Sequence, residues 1–342
     1  MTDRERMQAL VAGQPVDRLP VQPMLMTFAG KYAGIPFGDY CRHGEKMAEA
    51  QLVTWRGLGT DMLLTCSDPA REVIDLAGED SVRWFADQPP AIHEENAALK
   101  DKRRLQSFRV PEMASGNGRM ADRVDAIRIL RREAGPDAVI VGWVEGALAL
   151  AAELRGINAI MLDFYDDPDF VEELFVFCAD LSAAYAAIQV EAGADSIGMS
   201  DAAASMMGRA FYEKHLWPRQ HQILSAIRQA GGMARLHMCG CTDALLEKMA
   251  ELPVDVYEID FKTDLRKARQ TFGPDAIICG NIDTLDVMLH GNSALVRAEA
   301  EKCHRICGER HIVAPGCETA PLTPVENVKT LVNYAAQTTP TP

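Results

Sequence analysis

The chain has 342 residues, 48% of them hydrophobic and 25% charged, with a formal net charge of −14 at pH 7. That balance is globular rather than disordered, and an acidic excess without a basic stripe excludes nucleic acid as a partner. The start Met1-Thr2-Asp3-Arg4-Glu5-Arg6 is charged, and no run is apolar for the roughly eighteen residues that span a bilayer, so an unexported protein with no membrane partner is expected.

Along the chain, short β-type apolar runs alternate with amphipathic helices, the order that builds a parallel sheet wrapped by helices. Strands are expected at Val21 to Met26, Met62 to Thr65, Val139 to Val144, Ser196 to Ser200, Arg235 to Cys239, Val254 to Asp260, Ile277 to Gly280 and Ile312 to Pro315. Such a set predicts an α/β protein of the (β/α)8 TIM-barrel class, with 1–342 as a single domain behind an N-terminal extension. Between the second and third strands, about Pro69 to Asp137, a longer segment with Pro89-Pro90 and a helix near Met120 to Arg132 reads as an insertion.

After the third strand, Asp167 can cap a helix with Pro168 in its first turn. Phe170, Leu174, Phe177, Leu181, Tyr185 and Ile188 form its one apolar stripe, which is core and not a cofactor box. Cys303, His304 and Cys307 fall on a helical stretch, Ala294 to Cys307, with poor geometry for a site. The last helix begins at Thr323-Pro324-Val325-Glu326, where Thr can cap, Pro can take the first helical position and Glu can close a capping box.

In a parallel barrel the reacting groups sit at the C-terminal ends of strands. The fifth run ends His237-Met238-Cys239, and alternate strand residues share a side, so imidazole and thiol can point into one cavity. The eighth run delivers Cys317 after Gly316 to the same rim. An H-x-C pair alone is more often a core histidine beside small apolar fillers; a second cysteine on another strand end reverses that balance. Three N/S ligands leave a fourth position open, the pattern of a catalytic Zn²⁺. Asp260 is placed as a weak fourth ligand, as an acceptor behind one of the ligands, or as an ordinary strand-to-loop cap, Glu258 is a poorer candidate, and Cys241 can compete as a ligand. Asp68, Glu145, Asp201 and Asn281 follow other strands and would line the mouth as catalytic candidates, some of them only holding loops. Nine cysteines, an odd number, read as thiols in a reducing cytoplasmic compartment.

His237-Met238-Cys239-Gly240, Gly280-Asn281-Ile282-Asp283, Pro315-Gly316-Cys317 and Thr323-Pro324-Val325-Glu326-Asn327 together resemble the uroporphyrinogen decarboxylase superfamily over nearly the whole chain. The H-x-C unit with the late Gly-Cys pair is similar to its methylcobamide:coenzyme M methyltransferase branch, as are Gly142 to Gly146 and Asp201 to Ser205. This resemblance implies a barrel of the uroporphyrinogen decarboxylase type in which zinc binds and activates a methyl-accepting thiol such as coenzyme M, with tetrahydrofolate as another acceptor, in one-carbon metabolism. A free thiol, with a pKa of about 8.5, is mostly protonated at neutral pH, whereas coordination to zinc deprotonates it. No corrinoid-binding segment is evident, so the methylcobamide would arrive on a small corrinoid protein; relatives form monomers and dimers. The true decarboxylases carry Arg-Gln-Ala-Gly-Arg where this chain has Thr27-Phe28-Ala29-Gly30-Lys31, which weakens recognition of a polycarboxylate. Ser67-Asp68 matches their catalytic aspartate and keeps a decarboxylase-like lyase acting on a smaller carboxylated or tetrapyrrole-related substrate as the alternative. A non-catalytic corrinoid or tetrapyrrole binder is a third reading.

Overall fold

A computed structural model describes residues 1–338 apart from Pro69 and Asp87, so the first residue of the expected insertion lies outside the described residues. Nine strands are present among them: β1 Met62–Leu64, β2 Val82–Arg83, β3 Ala91–Ile92, β4 Val139–Glu145, β5 Ser196–Ser200, β6 Met233–Met238, β7 Val256–Ile259, β8 Ile277–Gly280 and β9 His311–Ile312. Seven form one parallel sheet in the order β1-β4-β5-β6-β7-β8-β9, while β2 and β3 pair as a separate antiparallel ribbon. The register Glu145↔Ser200↔His237↔Glu258↔Cys279 runs across five strands, so their C-terminal ends reach one rim.

The expected strand at Val21 to Met26 is reduced to a single bridge, Val21↔Val313. Pro20 and Pro23 flank the bridged pair, and proline supplies no N–H to a ladder. The segment nevertheless fills the eighth stave. Gln22 N–H donates to Val313 O and Val313 N–H to Pro20 O on one side, and Asp61 N–H donates to Val21 O on the other, which joins the two edges of the sheet. The eighth expected strand is likewise short, and after Ile312 its residues bridge to Val21 and then, through Pro315, to Ile282.

Ser196–Ser200 and Ile277–Gly280 form where expected, and the other strands shift by one to three residues at an end. Along β4 to β8 every residue but Met233 is buried, as befits strands covered on both faces. The Asp167 carboxylate caps the helix Pro168–Glu191 by accepting from Phe170 N–H; of its stripe Phe170, Leu174, Leu181 and Tyr185 are buried, with Phe177 and Ile188 partly so. The helix near Met120 runs Arg119–Ala134 and packs on the helix Gly44–Leu58 and on β4. The capping box of the last helix does not form. That helix is Val325–Gln337 with Pro324 itself, in extended backbone, at the cap position, which sets Thr323 one residue too far back, and its hydroxyl has no partner. No helix among the described residues is long and apolar enough to cross a membrane.

Candidate metal centre

His237 is the fifth residue of β6 and shares a side of the strand with Arg235 and Cys239. Its ring is buried at 2% exposure and its Nδ1 lies 3.3 Å from the carbonyl of Glu258, its register partner on β7. Because a carbonyl only accepts, Nδ1 carries a proton and Nε2 is the nitrogen turned towards the cavity. Two sulfurs face that nitrogen: Cys239 Sγ at 3.3 Å and Cys317 Sγ at 3.6 Å, with the sulfurs 3.8 Å apart. The three ligand atoms all lie within 4.8 Å of one another.

Cys317 reaches this point because the backbone before it runs against the β7 loop. Gly316 N–H donates to Ile282 O at 2.8 Å, and a Cβ on Gly316 would stand 2.3 Å from the backbone nitrogen of Phe261. Only glycine permits that approach. Glu318, directly after Cys317, is anchored in turn: its carboxylate accepts from Thr27 N–H at 2.7 Å and from the Thr27 hydroxyl.

The electrostatics of the trio are those of a cation site holding protons instead. Burial disfavours a charged His237 ring, but the hydrogen bond and charge of Cys317, with Glu258 and Asp260 behind, outweigh it and bring the ring to about 9. The hydrogen bond between the sulfurs lowers Cys239 and raises Cys317, burial pushing both upward. Two thiolates at this separation repel, so one keeps its proton unless a cation neutralises the pair. A His-Cys-Cys donor set with a pre-oriented Nε2 therefore fits zinc.

The remaining expected site residues fall into different places. Asp260 is not part of the three-residue group, and its Oδ1 accepts from Lys262 N–H at 2.8 Å, as a turn cap does. Asn281 braces the same turn, its Nδ2 donating to Asp260 O at 3.1 Å and Thr263 O at 2.9 Å. Cys241 is exposed and outside the group. Asp68 is fully buried and already engaged, its Oδ2 paired with Arg119 and lying 3.5 Å from Arg123, its Oδ1 accepting from Ala70 N–H. Asp201 accepts from Ala149 N–H at 3.0 Å and Gln220 Nε2 at 3.1 Å, and burial lifts it to about 6. Glu145 is the last residue of β4 and not, as expected, the residue after it. Its Oε1 accepts from Ser67 Oγ at 2.5 Å and Arg71 Nη2 at 3.4 Å, and burial lifts it to about 7 against the pull of Arg71.

Of the neighbours, Arg71 carried no signal in the sequence, and Trp143 and Thr27 stood only inside motifs, without a contact assigned to them. The Trp143 ring stands 6.3 Å from the His237 ring, fully buried Arg71 ties Glu145 to Glu72, and Thr27 is consumed by Glu318. With Thr27 and Glu318, the exposed Lys31 and Leu322 line a cavity of about 780 Å³.

A family profile described as Uroporphyrinogen decarboxylase (URO-D) matches residues 2–338. Methylcobamide:CoM methyltransferase MtbA of Methanosarcina acetivorans is 28% identical over 98% of this chain and 97% of its own. The uroporphyrinogen decarboxylase of Streptomyces coelicolor is 27% identical over 90% of this chain and 85% of its own. A solved methyltransferase from Methanosarcina mazei superposes with a TM-score of 0.87 at 27% identity, covering 98% of this chain and 99% of that one. A B12-independent methionine synthase from Shewanella, at 12% identity and a TM-score of 0.57, shares the fold.

Proposed function

The chain belongs to the uroporphyrinogen decarboxylase (URO-D) family, and from that premise we propose that it moves a methyl group from a methylated corrinoid on a separate small protein to a thiol, at a zinc ion held by His237, Cys239 and Cys317. The observation that carries this reading is the meeting of one imidazole and two sulfurs within 4.8 Å. Three protein ligands leave one of zinc's four positions for the acceptor.

The chemistry that zinc supplies when bound is Lewis acidity, which lowers the pKa of a coordinated thiol below neutral pH. The chain's own residues do the rest. Glu258 O holds the His237 ring so that Nε2 faces the two sulfurs. Cys239 and Cys317 contribute negative charge that keeps a neighbouring sulfur electron-rich. Glu145, brought to about 7 by burial at the end of β4 and near enough for its charge to act on Cys239, is suited to take up the proton that the acceptor thiol gives away. Asp201 ties the loop after β5 to the helix after β4, and Asn281 braces the turn after β7.

The acceptor class is supported by relatives whose names specify CoM, and nothing in the site speaks for tetrahydrofolate. Nine free cysteines suit a reducing, cytoplasmic setting. Two observations weigh against the decarboxylase-like alternative. Asp68 is spent on Arg119 and Arg123, and Thr27, which stands where the decarboxylases carry an arginine, is bonded to Glu318.

Elemental analysis of purified protein tests the reading. About one zinc per chain is expected, lost from His237→Ala and Cys317→Ala, together with thiol-dependent demethylation of methylcobalamin by the wild type alone. A wild type that binds no metal from zinc-supplemented buffer would sink it.

A further inference from the structure

Cys239 and Cys317 bring their sulfurs within 3.8 Å of each other from positions 78 residues apart in the chain. Neither stands in regular structure: Cys239 is the first residue past β6, followed by Gly240 in the left-handed region at φ +90°, and Cys317 lies between Gly316 and Glu318 in the loop after β9. Among the described residues the partners of both sulfurs are each other and His237 Nε2, so no further group pins either side chain. A disulfide is about 2.05 Å long, and the sulfurs need approach by less than ~2 Å to form one, a displacement that small rotations about the Cα–Cβ bonds supply. Both side chains are half-buried and open to a small solute, whereas Cys41, Cys66, Cys178, Cys279, Cys303 and Cys307 are buried. Cys41 and Cys66 also meet, but at 2% and 3% exposure they are closed to an oxidant dissolved in water. Cys241 is exposed just past Gly240 and is the competitor that Cys317 has to beat.

We propose that Cys239 and Cys317 form a site of reversible oxidation, closing to a disulfide under hydrogen peroxide when no cation holds them. The thiolate of one cysteine attacks a peroxide oxygen, giving a sulfenic acid and, once the leaving hydroxide takes a proton, water. The second thiol attacks that sulfur, forms the S–S bond and expels the sulfenic oxygen as a second water. Two thiols and one hydrogen peroxide thus give one disulfide and two waters, the sulfurs losing two electrons and the peroxide gaining them. A dithiol reductant reopens the bond through a mixed disulfide. The nearness of the second thiol decides the outcome, because a sulfenic acid without such a neighbour goes on to sulfinic acid, which thiols do not reverse. A disulfide also removes two of the three donors of the centre. On the zinc reading above, on which this consequence alone rests, oxidation and metal exclude each other: zinc engages both sulfurs and shields them, and the disulfide cannot take zinc. Methyl transfer then stops under oxidant and resumes on reduction.

Thiol titration and a proteolytic mass map made without reductant test this on the chelator-treated full chain, with and without zinc restored. Peroxide should remove two of the nine thiols, join the peptide holding Cys239 to the one holding Cys317, and yield both thiols again to dithiothreitol. Zinc added first should slow the loss about tenfold or more. Cys317→Ser, checked for folding by far-UV dichroism, should accumulate sulfinic acid on Cys239, whereas Cys241→Ser should form the link as the wild type does. A link from Cys239 to Cys241, sulfinic acid on wild-type Cys239 with no link to Cys317, or a rate indifferent to bound zinc would overturn the proposal. A chain that forms the link yet binds no zinc would refute the metal reading and uphold this one, and a zinc-binding chain whose chelated form makes no link would do the reverse.

Discussion

Replacing Arg235 by methionine is expected to be among the most damaging single changes in the barrel that leaves His237, Cys239 and Cys317 in place. Arg235 is 0% exposed and crosses the interior. Its Nε donates to Glu258 Oε1 at 2.6 Å, its Nη2 to Gln22 Oε1, and its Nη1 lies 3.7 Å from Met62 Sδ. It thus ties β6 and β7 to the two elements that close the sheet, the 20–22 segment and β1. Methionine replaces the aliphatic stem but leaves Glu258 a buried charge with neither oxygen paired, since Oε2 already lacks a partner. Breaking a buried pair from one side costs about 3–5 kcal/mol, a fifth or more of the roughly 5–15 kcal/mol that holds a typical domain together. Urea unfolding should show the midpoint falling with the slope unchanged. The double variant Arg235→Met/Glu258→Gln removes the stranded charge and should recover more than half of the loss. A single-variant cost below about 1 kcal/mol, or a double variant as unstable as the single one, would show that the pair carries no uncompensated charge and refute the reasoning.

Three further outcomes concern buried groups and one close backbone approach. His311 is buried with Nε2 donating to Gly280 O, and burial lowers its ring from 6.5 to about 4. The unfolded chain therefore binds a proton that the folded one refuses, and stability should fall by up to about 3 kcal/mol as pH drops from 6.5 to 4. His311→Gln keeps the donor without the titration, and its thermal midpoint should be flatter over that window; an unchanged slope would assign the acid sensitivity elsewhere. Asp68→Asn should destabilise by about 1–3 kcal/mol, because Arg119 and Arg123 lose the buried one of their two counter-charges and keep only the half-exposed Asp122, while zinc content stays at the wild-type level. Loss of the metal with it would tie Asp68 to the site. Gly316→Ala sets a Cβ against the Phe261 backbone and should move Cys317, weakening zinc binding about tenfold or more in a chelator competition. Unaltered affinity would mean that the loop yields freely.

Period and punctuation in the sequence were enough to place most of the barrel and to bring His237, Cys239 and Cys317 to one rim. Strict alternation puts His237 and Cys239 on one side of a strand wherever that strand lies, and the rule that barrel chemistry gathers at strand ends brought Cys317 to the same rim. Local caps were legible when they depended on one side chain, as at Asp167, and not when a proline shifted the frame, as at Thr323 and Pro324. The segment at Val21 to Met26 had a strand's composition, yet Pro20 and Pro23 left it one bridge, and only the closure of the sheet made that bridge the eighth stave. The carboxylates of the mouth were found by position but not by role. Whether Asp68 is free to react depends on Arg119 and Arg123, about fifty residues away in the chain, and whether Thr27 can meet a ligand depends on Glu318, 291 residues on. Alternation and capping act within a few residues and are written locally. The charge state and availability of a buried polar group are set by whatever the fold packs against it, and that is decided only in three dimensions.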